Sequence, residues 1–167
     1  RKGSDLRPAT DRMREAVFSS LGLEVAGSHF VDLFAGVGSY GIEAISRGAK
    51  SGVFIEKSRK HGSIIEANLK LVAKSMDQVL PVQVRVGDAF SVPSDQKVNL
   101  LFCDPPYALW DRRVRDLQRV IETWVDREGT LIAELPGGVQ LEWDGWEIRR
   151  RLGKGQHQPS VIIMNRL

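Results

Sequence analysis

Cysteine is nearly absent from this chain of 167 residues: Cys103 stands alone, which excludes an internal disulfide framework. Histidine is scarce as well. His29, His61 and His157 are widely separated and lack metal-ligand spacing, so no metal is expected. No apolar run approaches the roughly 18 residues that a membrane span needs, and the start lacks the charged-then-apolar pattern of a secretory leader. A soluble, cytoplasmic protein is expected. Internal repeats and low-complexity tracts are missing too. What is there, 42% apolar residues, suffices for one substantial core and a single domain over residues 1–167, a monomer by default. The sequence opens on Arg1 without a methionine, so further residues are expected before it.

The net charge of +3 is unevenly spread. Residues 149–167 carry Arg149, Arg150, Arg151, Lys154 and Arg166 with no acid, and residues 1–15 carry five basic residues against three acidic ones, which leaves the middle of the chain at −4. Basic ends around an acidic body suit a polyanionic partner. A solvated basic edge is the alternative.

The order of elements follows from periodicity. Residues 1–28 read as an extended segment and a helix. Pro8 is expected to keep the chain extended, Thr10 to cap the helix, and Met13, Ala16, Val17 and Leu21 to form its apolar stripe over 11–21. Residues 29–167 read as the sheet. Strands are predicted at 29–34, 51–55, 82–86, 98–103 and 130–135, with helices ending near Arg47 and spanning 58–73 and 112–124. The arms 146–152 and 160–166 form a terminal hairpin. Alternating strand and helix means a doubly wound α/β fold, a mostly parallel sheet with helices on both faces. Ligands in such sheets sit beyond the carboxyl ends of the strands.

Those strand ends carry the informative residues. The first exits through Asp32-Leu33-Phe34-Ala35-Gly36-Val37-Gly38-Ser39-Tyr40-Gly41, where Gly36, Gly38 and Gly41 also spell the dinucleotide fingerprint. Asp32 separates the two readings. A carboxylate repels a pyrophosphate but pairs with a cationic amino group such as that of a methionine moiety. Glu56 ends the second strand, where an acid accepts from ribose hydroxyls. Asp88 follows the third strand, placed to accept from an adenine amine or, alternatively, to cap a turn. Phe34 and Ala89 join the expected cofactor contacts.

Asp104-Pro105-Pro106-Tyr107 follows the fourth strand. Two prolines fix φ and lack N–H donors, so this turn presents acceptors only. The Asp104 carboxylate and Pro105 carbonyl suit the two hydrogens of an exocyclic amine, and Tyr107 offers a face on which a base can stack. These three are the expected catalytic residues.

Three segments together, Leu6 to Glu15 with Phe18, Val31 to Ala49, and Asp104 to Tyr107, resemble the RsmD-type 16S ribosomal RNA guanine-N2 methyltransferases. The resemblance implies a class I methyltransferase fold of seven strands ending in an antiparallel hairpin, S-adenosylmethionine as cofactor, and methylation of a guanine N2 in 16S rRNA on an assembling 30S particle. It also implies roles near cofactor or RNA for Arg7, Thr10 and Arg14; Arg7 and Arg14 read equally well as phosphate contacts or solvated charges. Arg149, Arg150, Arg151 and Lys154 are the further RNA-binding candidates. The sequence departs from the family pattern in lacking a basic strand pair ahead of the Arg-Pro segment, in Ala9 where threonine is usual, and in Tyr40 where a small residue is usual. Tyr40 is expected to narrow the pocket. Competing readings are an adenine-N6 methyltransferase, a nicotinamide-dependent oxidoreductase, a glutamine-N5 protein methyltransferase and a non-catalytic RNA-binding subunit.

Overall fold

The computed structural model describes residues 7–153 and 156–167, with side chains from residue 11 onward. Five strands, β1 (His29–Asp32), β2 (Ser51–Glu56), β3 (Val82–Val86), β4 (Val98–Cys103) and β5 (Val125–Leu135), run parallel. β6 (Trp146–Leu152) and β7 (Ser160–Arg166) complete a seven-stranded sheet of order β3-β2-β1-β4-β5-β7-β6, in which β7 is antiparallel to both neighbours. The expected topology is thus the observed one. The strand order reverses between β1 and β4, which opens a crevice at their carboxyl ends.

Side-chain alternation divides the core in two, because successive residues of a strand face opposite sides of the sheet. Phe30, Phe54, Leu100, Phe102 and Ile132 pack under α1 (Arg7–Leu21), α2 (Ser39–Ser46) and α3 (Arg59–Met76). Val31, Val53, Leu101, Leu131 and Ala133 pack under α4 (Ala108–Arg112) and α5 (Val114–Trp124). Covering both faces is why the central strands read as nearly unbroken apolar runs.

Several boundaries differ from expectation. The first helix begins at Arg7, so Pro8 lies in its first turn and Thr10 inside it. A helix tolerates proline there because the first N–H groups have no intrahelical partner, and Thr10 is not the cap. The expected helix over 112–124 is two helices, α4 and α5, broken at Arg113 (φ −135°). β1 stops at Asp32, and α3 continues to Met76, where Asp77 ends it with φ of 50°. β5 starts at Val125: the polar stretch Asp126 to Gly129 resembles a turn, yet Glu128 takes a left-handed φ of 64° within the strand and pairing with β4 is irregular there.

Gly41, the third glycine of the fingerprint, serves packing. A Cβ at this position would collide with the rings of Phe54 and Phe30, which meet edge to face, so glycine lets α2 settle against β1 and β2. Gly41→Ala is expected to destabilise the protein by about 1–3 kcal/mol, the usual cost of overpacking a core. Urea denaturation measures it; an unchanged midpoint would show that the helix need not lie this close.

Candidate cofactor and acceptor site

A cavity of about 590 Å³ lies at the carboxyl ends of β1 to β4, within the roughly 300–1,000 Å³ range of small-ligand pockets. Phe34, Gly36, Glu56, Asp88, Ala89, Asp104 and Pro105 all line it. Residues from four separate strand ends therefore meet in one place. A more open hollow of about 630 Å³ beside Trp143 and Trp146 holds none of the residues singled out in the sequence.

The glycine turn is held from across the sheet. Glu56 accepts hydrogen bonds from the Gly36 N–H at 2.9 Å and the Ser58 N–H at 2.6 Å, tying the ends of β1 and β2 together. Each carboxylate oxygen keeps lone pairs for a ligand. Gly36 has φ of 58° and open space where a Cβ would stand, so a ligand can approach its backbone closely. Its N–H, the group a pyrophosphate would seek, is already committed to Glu56.

Asp88 caps its turn, one of its two sequence readings, and stands where the other would need it. One oxygen accepts from the Phe90 N–H at 2.9 Å, capping the local turn, while the residue also lines the cavity. Phe34 and Phe90 stand edge to face at 6.1 Å and, with Ala89, give an apolar wall beside it. The Arg113 guanidinium lies over the Phe90 ring at 3.7 Å and closes this end.

Asp32, Asp104 and Glu134 gather on one face of the sheet. Asp32 is buried and accepts from the Gly41 N–H at 3.1 Å; it sits beneath the glycine turn and is not among the residues lining the cavity. Its pKa is pushed up to about 7, chiefly by burial, against the Gly41 bond and with the Glu56 charge adding. Asp104 is exposed to solvent by its surface area and also lines the cavity, where neighbouring protein atoms crowd its carboxyl. Its pKa rises to about 8 through burial, the charges of Glu134 and Asp32, and a hydrogen bond with Glu134. Burial also raises Glu134, while bonds from Asp104 and Tyr40 oppose the rise.

Pro105 is buried, and its carbonyl accepts no bond from the backbone or from side chains among the described residues, whereas the Pro106 carbonyl accepts from Leu109 N–H at 3.0 Å. Tyr107 is 44% exposed at the head of α4 and is not among the residues lining the cavity. Trp110 anchors the segment by donating Nε1–H to the Glu134 carbonyl at 2.9 Å.

Other expected residues are placed differently from one another. Gly38 caps α2 with φ of 85°. Tyr40 does not line the cavity as expected: a buried core residue, its ring stacks on Phe102 and its hydroxyl reaches toward Glu134, because the first turn of α2 faces the sheet. Arg14 pairs with Asp11 at 3.0 Å. Arg149 is paired with Glu24 at 2.6 Å, and Arg151 bonds Gln140 and Ser160, so Arg150 is the exposed member of that run without an ion pair among the described residues. The side chains of Arg7 and Thr10, and all of Lys154, lie outside the described residues. Sequence reasoning missed Glu134, Trp110 and Arg113. The signal for Glu134 was present: one acid within the apolar run Leu131-Ile132-Ala133-Glu134-Leu135.

The sheet order, the antiparallel β7 and the strand-end crevice define a class I methyltransferase fold. The Escherichia coli protein yhhF, proposed to be a methyltransferase, superimposes with a TM-score of 0.80 at 26% identity over 95% of this chain and 86% of its own. A family model described as Conserved hypothetical protein 95 matches residues 1–162, and the chain belongs to this family, the RsmD type that its motifs resemble. YlbH of Bacillus subtilis, proposed to be an rRNA methyltransferase, is 30% identical over 146 residues, covering 83% of this chain and 76% of YlbH. Ribosomal RNA small subunit methyltransferase D of Escherichia coli is 28% identical over 155 residues, covering 90% and 76% respectively.

The raised carboxyls give the fold a pH dependence. Between about pH 4 and about pH 8 the folded protein holds protons on Asp32 and Asp104 that the unfolded chain has released, so stability falls as pH rises through that window. Asp32→Asn keeps an acceptor for Gly41 and removes one such group. The loss of stability between about pH 5 and about pH 8, followed by urea titration, is expected to be smaller in the variant; parallel curves would show that Asp32 ionises normally.

Proposed function

We propose that the protein transfers a methyl group from S-adenosylmethionine to the exocyclic N2 amine of a guanine in 16S rRNA, leaving S-adenosylhomocysteine. The observation that carries this reading is the sharing of one cavity by the glycine turn, Glu56, Asp88 and the Asp104-Pro105 acceptor turn. When bound, S-adenosylmethionine supplies an electrophilic sulfonium methyl.

The residues present fit that molecule. Phe34, Ala89 and Phe90 offer an adenine ring its apolar wall, Asp88 an acceptor for the ring amine, and Glu56 its remaining lone pairs for ribose hydroxyls. Asp32, beneath the glycine turn, offers a carboxyl that favours a cationic methionine end. That carboxyl and the committed Gly36 N–H disfavour a dinucleotide pyrophosphate.

The acceptor chemistry rests on Asp104, Pro105 and Tyr107. The lone pair of an arylamine is delocalised into its ring, which makes it a weak nucleophile. Accepting its two hydrogens at the Asp104 carboxyl and the Pro105 carbonyl draws the nitrogen toward a tetrahedral arrangement and aims its lone pair into the cavity. Holding both reactants in line contributes up to about 7–11 kcal/mol to lowering the barrier. Stacking on Tyr107 contributes about 1–3 kcal/mol, against a cost of a few kcal/mol for extracting the base from its own stack.

The choice of 16S rRNA follows the relatives, since one is named as a small-subunit rRNA methyltransferase. An assembling 30S particle is the proposed setting. Arg150, on β6, is the described cation proposed to meet RNA phosphates directly, and Arg14, on α1, would have to do so while exchanging its partner Asp11.

S-adenosylmethionine or S-adenosylhomocysteine is expected to raise the melting temperature, and NAD to leave it unchanged; the reverse would sink the methyltransferase reading. Asp104→Ala is expected to keep cofactor binding while losing at least about 100-fold in turnover, as removal of a group acting in proton transfer does. Labelled-methyl transfer to naked 16S rRNA, 30S particles and duplex DNA, followed by nucleoside analysis, tests the substrate. N2-methylguanosine is expected, and N6-methyladenosine would establish the adenine reading instead.

A further inference from the structure

The register of the sheet explains why Glu134 meets Asp104. Asp32 pairs with Phe102 across β1 and β4, and Cys103 pairs with Ala133 across β4 and β5. Asp104 and Glu134 are the next residues along their strands, so they leave adjacent positions at the same level. Phe30, Phe102 and Ile132 belong to the core half beneath α1 and α2, and alternation places Asp32, Asp104 and Glu134 on that same face.

Glu134 is fixed at its other end. The Tyr40 hydroxyl, from α2, lies 3.4 Å from Oε2, and Trp110, from α4, holds the Glu134 backbone carbonyl at 2.9 Å. The register that pairs Cys103 with Ala133 sets the Asp104 and Glu134 carboxyls side by side, so that a protonated Asp104 can donate to Glu134. Such a bond between two acids requires a proton, since two carboxylates at contact distance repel.

We propose that Glu134 is the positioning residue for Asp104: the two carboxyls hold one proton between them, and Glu134 receives it when Asp104 takes a proton from the methylated amine. This rests on the methyl-transfer reading above. The step balances as follows. The N–C bond forms as the S–C bond breaks, its electron pair remaining on sulfur. The nitrogen then carries a positive charge and loses one hydrogen, keeping the bonding pair. That proton goes to Asp104, whose own proton passes to Glu134, and Glu134, half-buried, releases it to solvent. Asp104 thus remains an acceptor while already holding a proton.

Among the described residues, few groups face the pair. Asp32 on β1 and Glu134 on β5 add negative charge at Asp104; Tyr40 on α2 donates to Glu134, and Tyr107 at the head of α4 lies within its field. Arg14 on α1 acts on Tyr40. Shared protonation gives the pair two titration steps belonging to both acids together. The lower step sets the acid limb of the rate profile, because a doubly protonated pair accepts nothing.

Glu134→Gln preserves shape and removes the second acid. Carboxyl-carbon NMR of the free, substrate-free protein is expected to show Asp104 titrating far above the ordinary range in the parent and moving down in the variant. An Asp104 titration that stays put overturns the pairing whatever the activity. In single-turnover rRNA methylation at neutral pH, the variant is expected to lose at least about tenfold in rate, to retain its S-adenosylmethionine affinity, and to show its acid limb displaced to higher pH. Glu134→Asp is expected to restore the limb. A lower rate with an unmoved limb would reduce Glu134 to structural support and overturn the proposal. If the paired titration is seen but the parent methylates no RNA, the methyl-transfer reading and the relay built on it fall together, and only the shared proton stands.

Discussion

The insertion of β4 between β1 and β5 is the constraint from which the rest of the molecule follows. β1 thus lies beside β4 although two strands separate them in the chain, and parallel pairing makes β1, β4 and β5 end at the same edge. Their last residues then meet. Parallel pairing also requires covered faces, which α1, α2 and α3 supply on one side and α4 and α5 on the other. A crevice at the reversal of strand order is the geometric consequence.

Chemistry enters because the strand ends are acidic. Glu56 uses part of its hydrogen-bonding capacity on the protein, fastening the glycine turn to β2, and Asp88 does the same for the turn after β3. Asp32, Asp104 and Glu134 instead share a confined region where burial and mutual repulsion favour protons on the carboxyls. A turn without backbone N–H donors at Pro105 and Pro106 lies beside them. The proposed methyl transfer asks two things of this one cavity, to hold a positively charged methyl donor and to orient a weak nucleophile, and residues suited to each line it.

Much of this was legible beforehand. The unbroken apolar run Val98 to Cys103 ending at Asp104 marked a central parallel strand, and glycines and acids at successive strand ends marked the crevice. Boundaries were less legible where local chemistry misleads: Pro8 suggests extended chain but is accommodated in the first turn of a helix, and Asp126 to Gly129 suggest a turn but continue a strand. Tyr40 was expected at the pocket and lies in the core, since which side of α2 meets the sheet depends on the close approach that Gly41 permits.

The amino-acid sequence by itself determined the order of elements, the covered parallel sheet, the family and the acceptor turn, because periodicity and strand-end residues are local properties of the chain. Only the tertiary structure decided that Glu134 adjoins Asp104, that Glu56 occupies the Gly36 N–H, and that Arg149 and Arg151 are engaged within the protein rather than free. The physical reason is distance along the chain: Asp104 and Glu134 are 30 residues apart, and only the register between β4 and β5 brings the two acids side by side.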